Sequence, residues 1–147
     1  MSTFHSLNFH ITFSTKLRTP WIKQDWIERL HGYVGGIVSQ LDGKALKIGG
    51  VEDHIHLLVG LKTTHRPSDF MRELKKSSSK WVHETMQYPP FEWQEGYAIF
   101  SVSPTVCQAV SRYIANQKEH HQKRSFREEL VSMLEEAGIA YDEEYLD

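Results

Sequence analysis

The sequence predicts an α+β fold, a ferredoxin-like antiparallel sheet of order β-α-β-β-α-β with two helices on one face and an added C-terminal helix. Three observations lead there. Apolar residues alternate between a period of two and a period of 3.6, and the segments follow that order. The second and third strand segments are separated by little more than a turn. The 147 residues suit one domain with an ordinary core, and neither an internal repeat nor a low-complexity linker divides them.

Residues 6–14 alternate as a strand, with Leu7, Phe9, Ile11 and Phe13 on the buried side. Residues 22–40 show helical spacing through Ile22, Trp26, Ile27, Leu30, Val34 and Ile37. A turn at Asp42-Gly43 leads to strands over 44–50 and 53–61. A helix from Pro67 or Ser68 to about Met86 offers Phe70, Leu74, Trp81 and Val82 to the core, the loop at Pro89-Pro90 ends it, and a strand over 97–102 completes the sheet. Ser103 suits an N-cap and Pro104 a first helical position, so another helix should start there. It sets Val106, Val110 and Ile114 on one face, and Tyr113, Gln117 and His120 on a neighbouring one. A last helix spans 126–137.

The strand over 53–61 contains His54-Ile55-His56. Strand side chains alternate, so Ile55, Leu57 and Val59 form an apolar face while His54 and His56 share the other, with Cα atoms roughly 7 Å apart. Two imidazoles so placed can share a metal ion, or each can be satisfied by a hydrogen bond. On the later helix Tyr113 supplies a hydroxyl and Gln117 a hard oxygen, although boundary residues of an amphipathic helix look the same.

Composition narrows the classes. The chain has one cysteine, no 18-residue apolar run and no secretory signal pattern, which suggests a soluble protein of a reducing cytoplasm with no membrane partner. Cys107 reads as a packing residue. The net charge of -2 conceals an asymmetry: residues 1–124 carry 16 Lys or Arg against 11 Asp or Glu, and residues 125–147 carry Arg127 against eight acids. A basic body of +5 with an acidic tail of -7 results. Arg72, Lys75, Lys76 and Lys80, and separately Lys118, Lys123 and Arg124, form runs that either track phosphates or are solvated faces.

Together these segments resemble the small single-tyrosine transposases of the His-hydrophobic-His (HUH) nuclease superfamily carried by compact insertion sequences, with REP-associated tyrosine transposases as relatives. The resemblance covers the opening strand Asn8 to Arg18, the His54 to Val59 motif, the approach from Trp93 to Gly96-Tyr97, and the helix Tyr113-Ile114-Ala115-Asn116-Gln117. It implies a DNA transposase that cuts and rejoins single-stranded DNA at hairpin ends of an element through a 5′-phosphotyrosine. It further implies Tyr113 as nucleophile and His54, His56 and Gln117 as ligands of a divalent ion, and the sequence departs from the pattern at none of the four. Imidazole and carboxamide ligands without thiolates suit Mg²⁺ or Mn²⁺. Since tyrosine is a poor nucleophile at neutral pH, His120 and His10 are candidate bases or supports for the ligands. No Gly-rich phosphate loop is present, and rejoining through a phosphodiester needs no nucleotide.

Two other classes compete. A histidine-triad hydrolase would need a third histidine where Leu58 stands. A non-catalytic, domesticated ferredoxin-like domain would bind DNA or RNA through aromatic stacking. The resemblance also implies a homodimer with composite active sites, because a helix tethered by only Ser103 and Pro104 should reach a partner's histidines more readily than its own.

Overall fold

The computed structural model describes residues 1–146. Four strands, β1 (Asn8–Ser14), β2 (Lys44–Val51), β3 (His54–Gly60) and β4 (Ala98–Val102), form an antiparallel sheet ordered β2-β3-β1-β4. This is the ferredoxin-like order, with β1 and β3 as central neighbours in the register Ile11 to Leu57, Thr12 to His56 and Phe13 to Ile55. Strand alternation then sorts the side chains. Ile11, Phe13, Ile55, Leu57 and Val59 are fully buried beneath α1 (Ile27–Gln40) and α2 (Pro67–Glu84), where Leu30, Val34, Phe70, Leu74 and Val82 meet them. His10, Thr12, His54 and His56 occupy the opposite face.

The first helix starts five residues later than its spacing suggests. Ile22 and Trp26 are core residues, as expected, but they lie in turns: the Ile22 N–H donates to the Glu52 carbonyl at 3.0 Å, tying this segment to the β2–β3 turn. Pro67 opens α2, which ends at Glu84, just short of Met86.

The tyrosine segment is not one continuous helix. Pro104–Val106 form a 3₁₀ turn, α3 covers Cys107–Ala115, and a four-residue turn of helix, α4 (Gln117–His120), follows a break at Asn116. Asn116 sits at φ -101° and ψ 24°, outside helical values. Ser103 caps nothing with its side chain, which bonds Thr105 at 3.0 Å instead. Val106 is exposed because it belongs to the turn, whereas Ile114 is fully buried against Leu58 and Val102. α3 lies so close on β2 that a Cβ at Gly49 would collide with the Ile114 carbonyl, and Gly49 pairs directly with His56. Only a glycine admits the tyrosine helix there.

The last helix, α5 (Phe126–Glu136), begins with a reciprocal cap between Ser125 and Glu128. Its Phe126, Leu130 and Leu134 join Leu146 in a second, small apolar cluster against Ala98 and Phe100 of β4. The register pairs these two strand residues with Thr12 and His10, so α5 covers the histidine face beside α3. No helix among the described residues is long and apolar enough to cross a membrane.

Candidate active site and metal centre

The histidine face closes on itself. His54, His56 and Glu129 expose no surface and Gln117 exposes 1%, although all four are polar. Buried polar groups must satisfy each other, and the bonds here converge on one point. His56 Nε2 lies 2.8 Å from Glu129 Oε1, and His54 Nε2 lies 3.5 Å from the same oxygen. The other ring nitrogens point outward to supports: His54 Nδ1 to the Asp53 carboxylate at 2.7 Å, and His56 Nδ1 to His10 Nε2 at 2.7 Å. Orienting partners on the far nitrogen are the usual companions of metal-binding imidazoles.

Tyr113 and Gln117 both reach this point, as the sequence predicts. The Tyr113 hydroxyl donates to Glu129 Oε2, and the Gln117 amide donates to that oxygen at 3.1 Å. Gln117 Oε1 faces His54 Nε2 at 2.9 Å. The break at Asn116 does not separate the two residues, because α4 continues over the sheet. Both come from the chain that owns the histidines. The backbone contact at Gly49 seats α3 on β2 of the same chain.

The supports differ from expectation in one place. His10 contacts His56 as described, but His120 stacks on the Tyr113 ring, centroids 4.6 Å apart, and it is His121 that enters the site, 3.0 Å from Gln117 Oε1 and 3.3 Å from Glu129 Oε1. Asp53, His121 and Glu129 escaped the sequence reading. Asp53 directly precedes His54, and Glu129 interrupts the apolar stripe of α5, three residues after Phe126 and next to Leu130. An acid on an apolar helix face was the available signal.

Electrostatics follow from burial and from the one carboxylate. Burial and the neighbouring His56 lower His10 to about 3, and burial lowers His56 to about 4 against the pull of Glu129. Both rings are neutral. Burial opposes charge on Glu129, yet hydrogen bonds from His121, His56 and Tyr113 hold it well below the usual carboxylate range. Burial and the Glu129 charge push the Tyr113 hydroxyl upward, so it is a firmly protonated donor. His121 is raised, because Glu129 outweighs the effect of burial.

The donor set fits a divalent ion. His54, His56, His121 and Glu129 each offer a ligand atom, and these lie within 4.8 Å of one another. One contact also asks for a cation. In the tautomer that gives its Nδ1–H to Asp53, His54 presents a bare Nε2 to Gln117 Oε1, while the Gln117 amide is held the other way round by Glu129. Two lone pairs then face each other at 2.9 Å. A divalent ion bound by both atoms removes the conflict, as would a hydrogen on Nε2. His56 can likewise free its Nε2 by placing its hydrogen on Nδ1, toward His10.

The basic residues of α2 lie elsewhere. Arg72, Lys76 and Lys80 are exposed on the helix-covered side of the sheet, and Arg72 pairs with Asp69 at 3.0 Å. Lys75 turns inward, donating to the Gln94 carbonyl at 2.8 Å and to that of Gly96, with its ammonium 5.3 Å from the Phe13 ring centre; burial lowers it to about 8. It pins the approach to β4. Lys118, on α4 beside Gln117, is exposed and borders a cleft with Ile27, Glu28 and Glu52 at the β2 edge.

Comparison with known proteins agrees with this fold. A candidate transposase of Deinococcus radiodurans R1 has a similar structure, with TM-score 0.65, 23% identity, and coverage of 80% of this chain and 95% of that one. A REP-associated tyrosine transposase bound to a REP hairpin overlays with TM-score 0.61 and 14% identity, over 82% of this chain and 74% of the other. At these identities the likeness shows a shared fold. No curated protein matches the sequence. The family described as "Transposase IS200 like" matches residues 3–117, from before β1 to the proposed glutamine ligand, and the chain belongs to that family.

Proposed function

We propose that this chain, acting as one domain with its acidic segment 125–147, cuts and rejoins single-stranded DNA with Tyr113 as nucleophile. His54, His56 and Gln117 would hold the divalent ion, Mg²⁺ or Mn²⁺. The observation that supports this best is the meeting of Tyr113 and Gln117, from one segment, with two imidazole Nε2 atoms whose far nitrogens are already engaged. The REP-associated neighbour is described as bound to a REP hairpin, and we carry a folded single-stranded hairpin over to this chain as its substrate class. The cytoplasm, where such DNA and reduced Cys107 coexist, is the proposed location.

A bound divalent ion would polarise a phosphodiester oxygen and offset charge at the scissile phosphate. Tyr113 Oη attacks phosphorus and the bond to the 3′-oxygen breaks, giving a 5′-phosphotyrosine and a 3′-hydroxyl. The phenolic proton is lost and the leaving oxygen gains one, so the step is balanced. Tyr113 is held protonated as found, so the hydroxyl must leave Glu129 or transfer its hydrogen before attack. The reverse step rejoins the strand. The resemblance implies a homodimer with composite active sites, and we carry this over as a proposal: within the dimer, α3 and α4 of one chain would bring their tyrosine and glutamine to the histidine pair of the other.

Incubating the protein with a labelled hairpin and Mn²⁺ should give a covalent adduct that maps to Tyr113 and is lost in Tyr113→Phe. Binding without any adduct would favour the non-catalytic reading. Mixed, verified dimers of Tyr113→Phe and His56→Ala should regain cleavage at up to about half of their sites; mixed dimers that stay inactive would show sites built within one chain.

A further inference from the structure

We propose that Glu129 is the anionic ligand of the divalent ion and that its second oxygen positions Tyr113 beside that ion. This rests on the metal-site reading above but extends it to a residue on α5, beyond the family match that ends at Gln117. The two carboxylate oxygens face different partners. Oε1 looks toward the imidazoles, 2.8 Å from His56 Nε2, 3.3 Å from His121 Nε2 and 3.5 Å from His54 Nε2. Oε2 takes the Tyr113 hydroxyl and the Gln117 amide. One carboxylate thus bridges the ligand cluster and the nucleophile.

Charge supplies a second argument. Two neutral imidazoles and a carboxamide form a set without an anion, whereas Mg²⁺ is ordinarily held through one or two carboxylates. Glu129 is the acid whose carboxylate joins His54, His56 and His121 in the cluster, and it exposes no surface. Spacing supplies a third. Bonds of about 2.1 Å at right angles put neighbouring ligand atoms about 3 Å apart, and the separations from Oε1 to the two motif histidines, 2.8 and 3.5 Å, lie around that value. Finally, the placement is enforced. Phe126 seats α5 against the His54 ring, centroids 4.5 Å apart, and Glu129 follows one turn later on the same helix face.

The test compares wild-type protein with Glu129→Gln, which preserves shape and removes charge. Titration calorimetry with Mn²⁺ should show affinity reduced by at least about tenfold, with hairpin binding in EDTA unchanged. For the second oxygen, the protein is labelled with 3-fluorotyrosine and the Tyr113 resonance is identified by its loss in Tyr113→Phe. Mg²⁺ should shift that resonance in the wild type and leave it in place in Glu129→Gln at equal metal saturation. Should Glu129→Gln fail to fold, Glu129→Asp retains the charge one methylene further back, and its Mn²⁺ affinity should still fall severalfold. Undiminished Mn²⁺ affinity in the folded variant overturns the ligand role. Equal Mg²⁺ response of Tyr113 in both proteins overturns the positioning role. A wild-type protein that binds no Mn²⁺ at all would overturn the metal site itself, a separate outcome because it is seen before any variant is made.

Discussion

His56 and Leu57 are consecutive in β3, each has essentially no exposed surface, and they face opposite ways. Leu57 enters a layer of aliphatic and aromatic side chains under α1 and α2, where any residue of the right volume and polarity would serve. His56 enters a layer in which every neighbour is a partner: His10 behind it, Glu129 before it, and the Tyr113 ring at 5.9 Å. Burial alone does not distinguish a core from a site. The distinction lies in what the buried groups demand, since packing asks for volume while a cluster of imidazoles, a carboxamide and a carboxylate asks for specific hydrogens or a cation.

The sharpest way to break the comparison is to truncate both neighbours. Leu57→Ala should cost about 2–5 kcal/mol of stability and keep Mn²⁺ affinity, read by urea titration and calorimetry. His56→Ala should lose Mn²⁺ binding by at least about a hundredfold and abolish cleavage, with a smaller stability change. Equal stability losses with Mn²⁺ binding intact would make His56 an ordinary core histidine.

Glycines on the two faces give the next contrast. Gly49→Ala places a methyl group against the Ile114 carbonyl, so α3 must shift; about 1–3 kcal/mol of stability and most adduct formation should go with it. Gly36 is exposed in α1 with nothing near its missing Cβ, and Gly36→Ala should stabilise by about 0.5–1 kcal/mol with unaltered cleavage. Thermal melts beside a nicking assay separate the two.

Acid should erode both faces, for a shared reason. Burial lowers His31 on α1 to about 4, with its Nε2 unpartnered among the described residues, and lowers His10 on the site face to about 3. The unfolded chain takes up these protons near 6.5 and the folded chain resists, so the stability they contribute is complete above 6.5 and drains away toward pH 4 and 3. Urea midpoints should fall across that window, and His31→Leu should flatten part of the slope. Added Mn²⁺ should raise the midpoint at pH 7.5, and the rise should fade as the pH falls toward 4, where a proton competes for His56.

The smallest effects concern the lysines. Lys118→Gln, next to Gln117 in sequence, should weaken hairpin binding a few-fold at low salt and lower the salt slope, whereas Lys76→Gln and Lys80→Gln on α2 should change either one less. The reverse ranking would place DNA on the helix side.

The sheet and its order were legible because periods of two and 3.6 leave direct traces in the apolar residues, and the His54, His56, Tyr113 and Gln117 set came from the resemblance. What stayed hidden depended on tertiary bonds. Ile22 shows helical spacing, yet its N–H serves Glu52. Asn116 breaks a run whose spacing looks continuous, and the break brings His121 rather than His120 to the centre. Glu129 was concealed by its company: among eight acids in 125–147 it counted as tail charge, although it alone interrupts the stripe of Phe126, Leu130 and Leu134. The placement of Arg72, Lys76 and Lys80 was derivable, since both sheet-packed helices were expected opposite the histidines.

The backbone contact at Gly49 also bears on how freely such a chain can diverge. The height of the tyrosine over the sheet is set where the Ile114 backbone rests on Gly49, with the Ile114 side chain packed beside it on Leu58 and Val102. Gln108, Ala109, Arg112 and Ala115 are exposed, so mutation can rewrite them over generations without moving Tyr113. The constraint on this helix therefore concentrates on a few letters, and a lineage can change the helix's outer surface while inheriting the same placement of Tyr113 over the histidines.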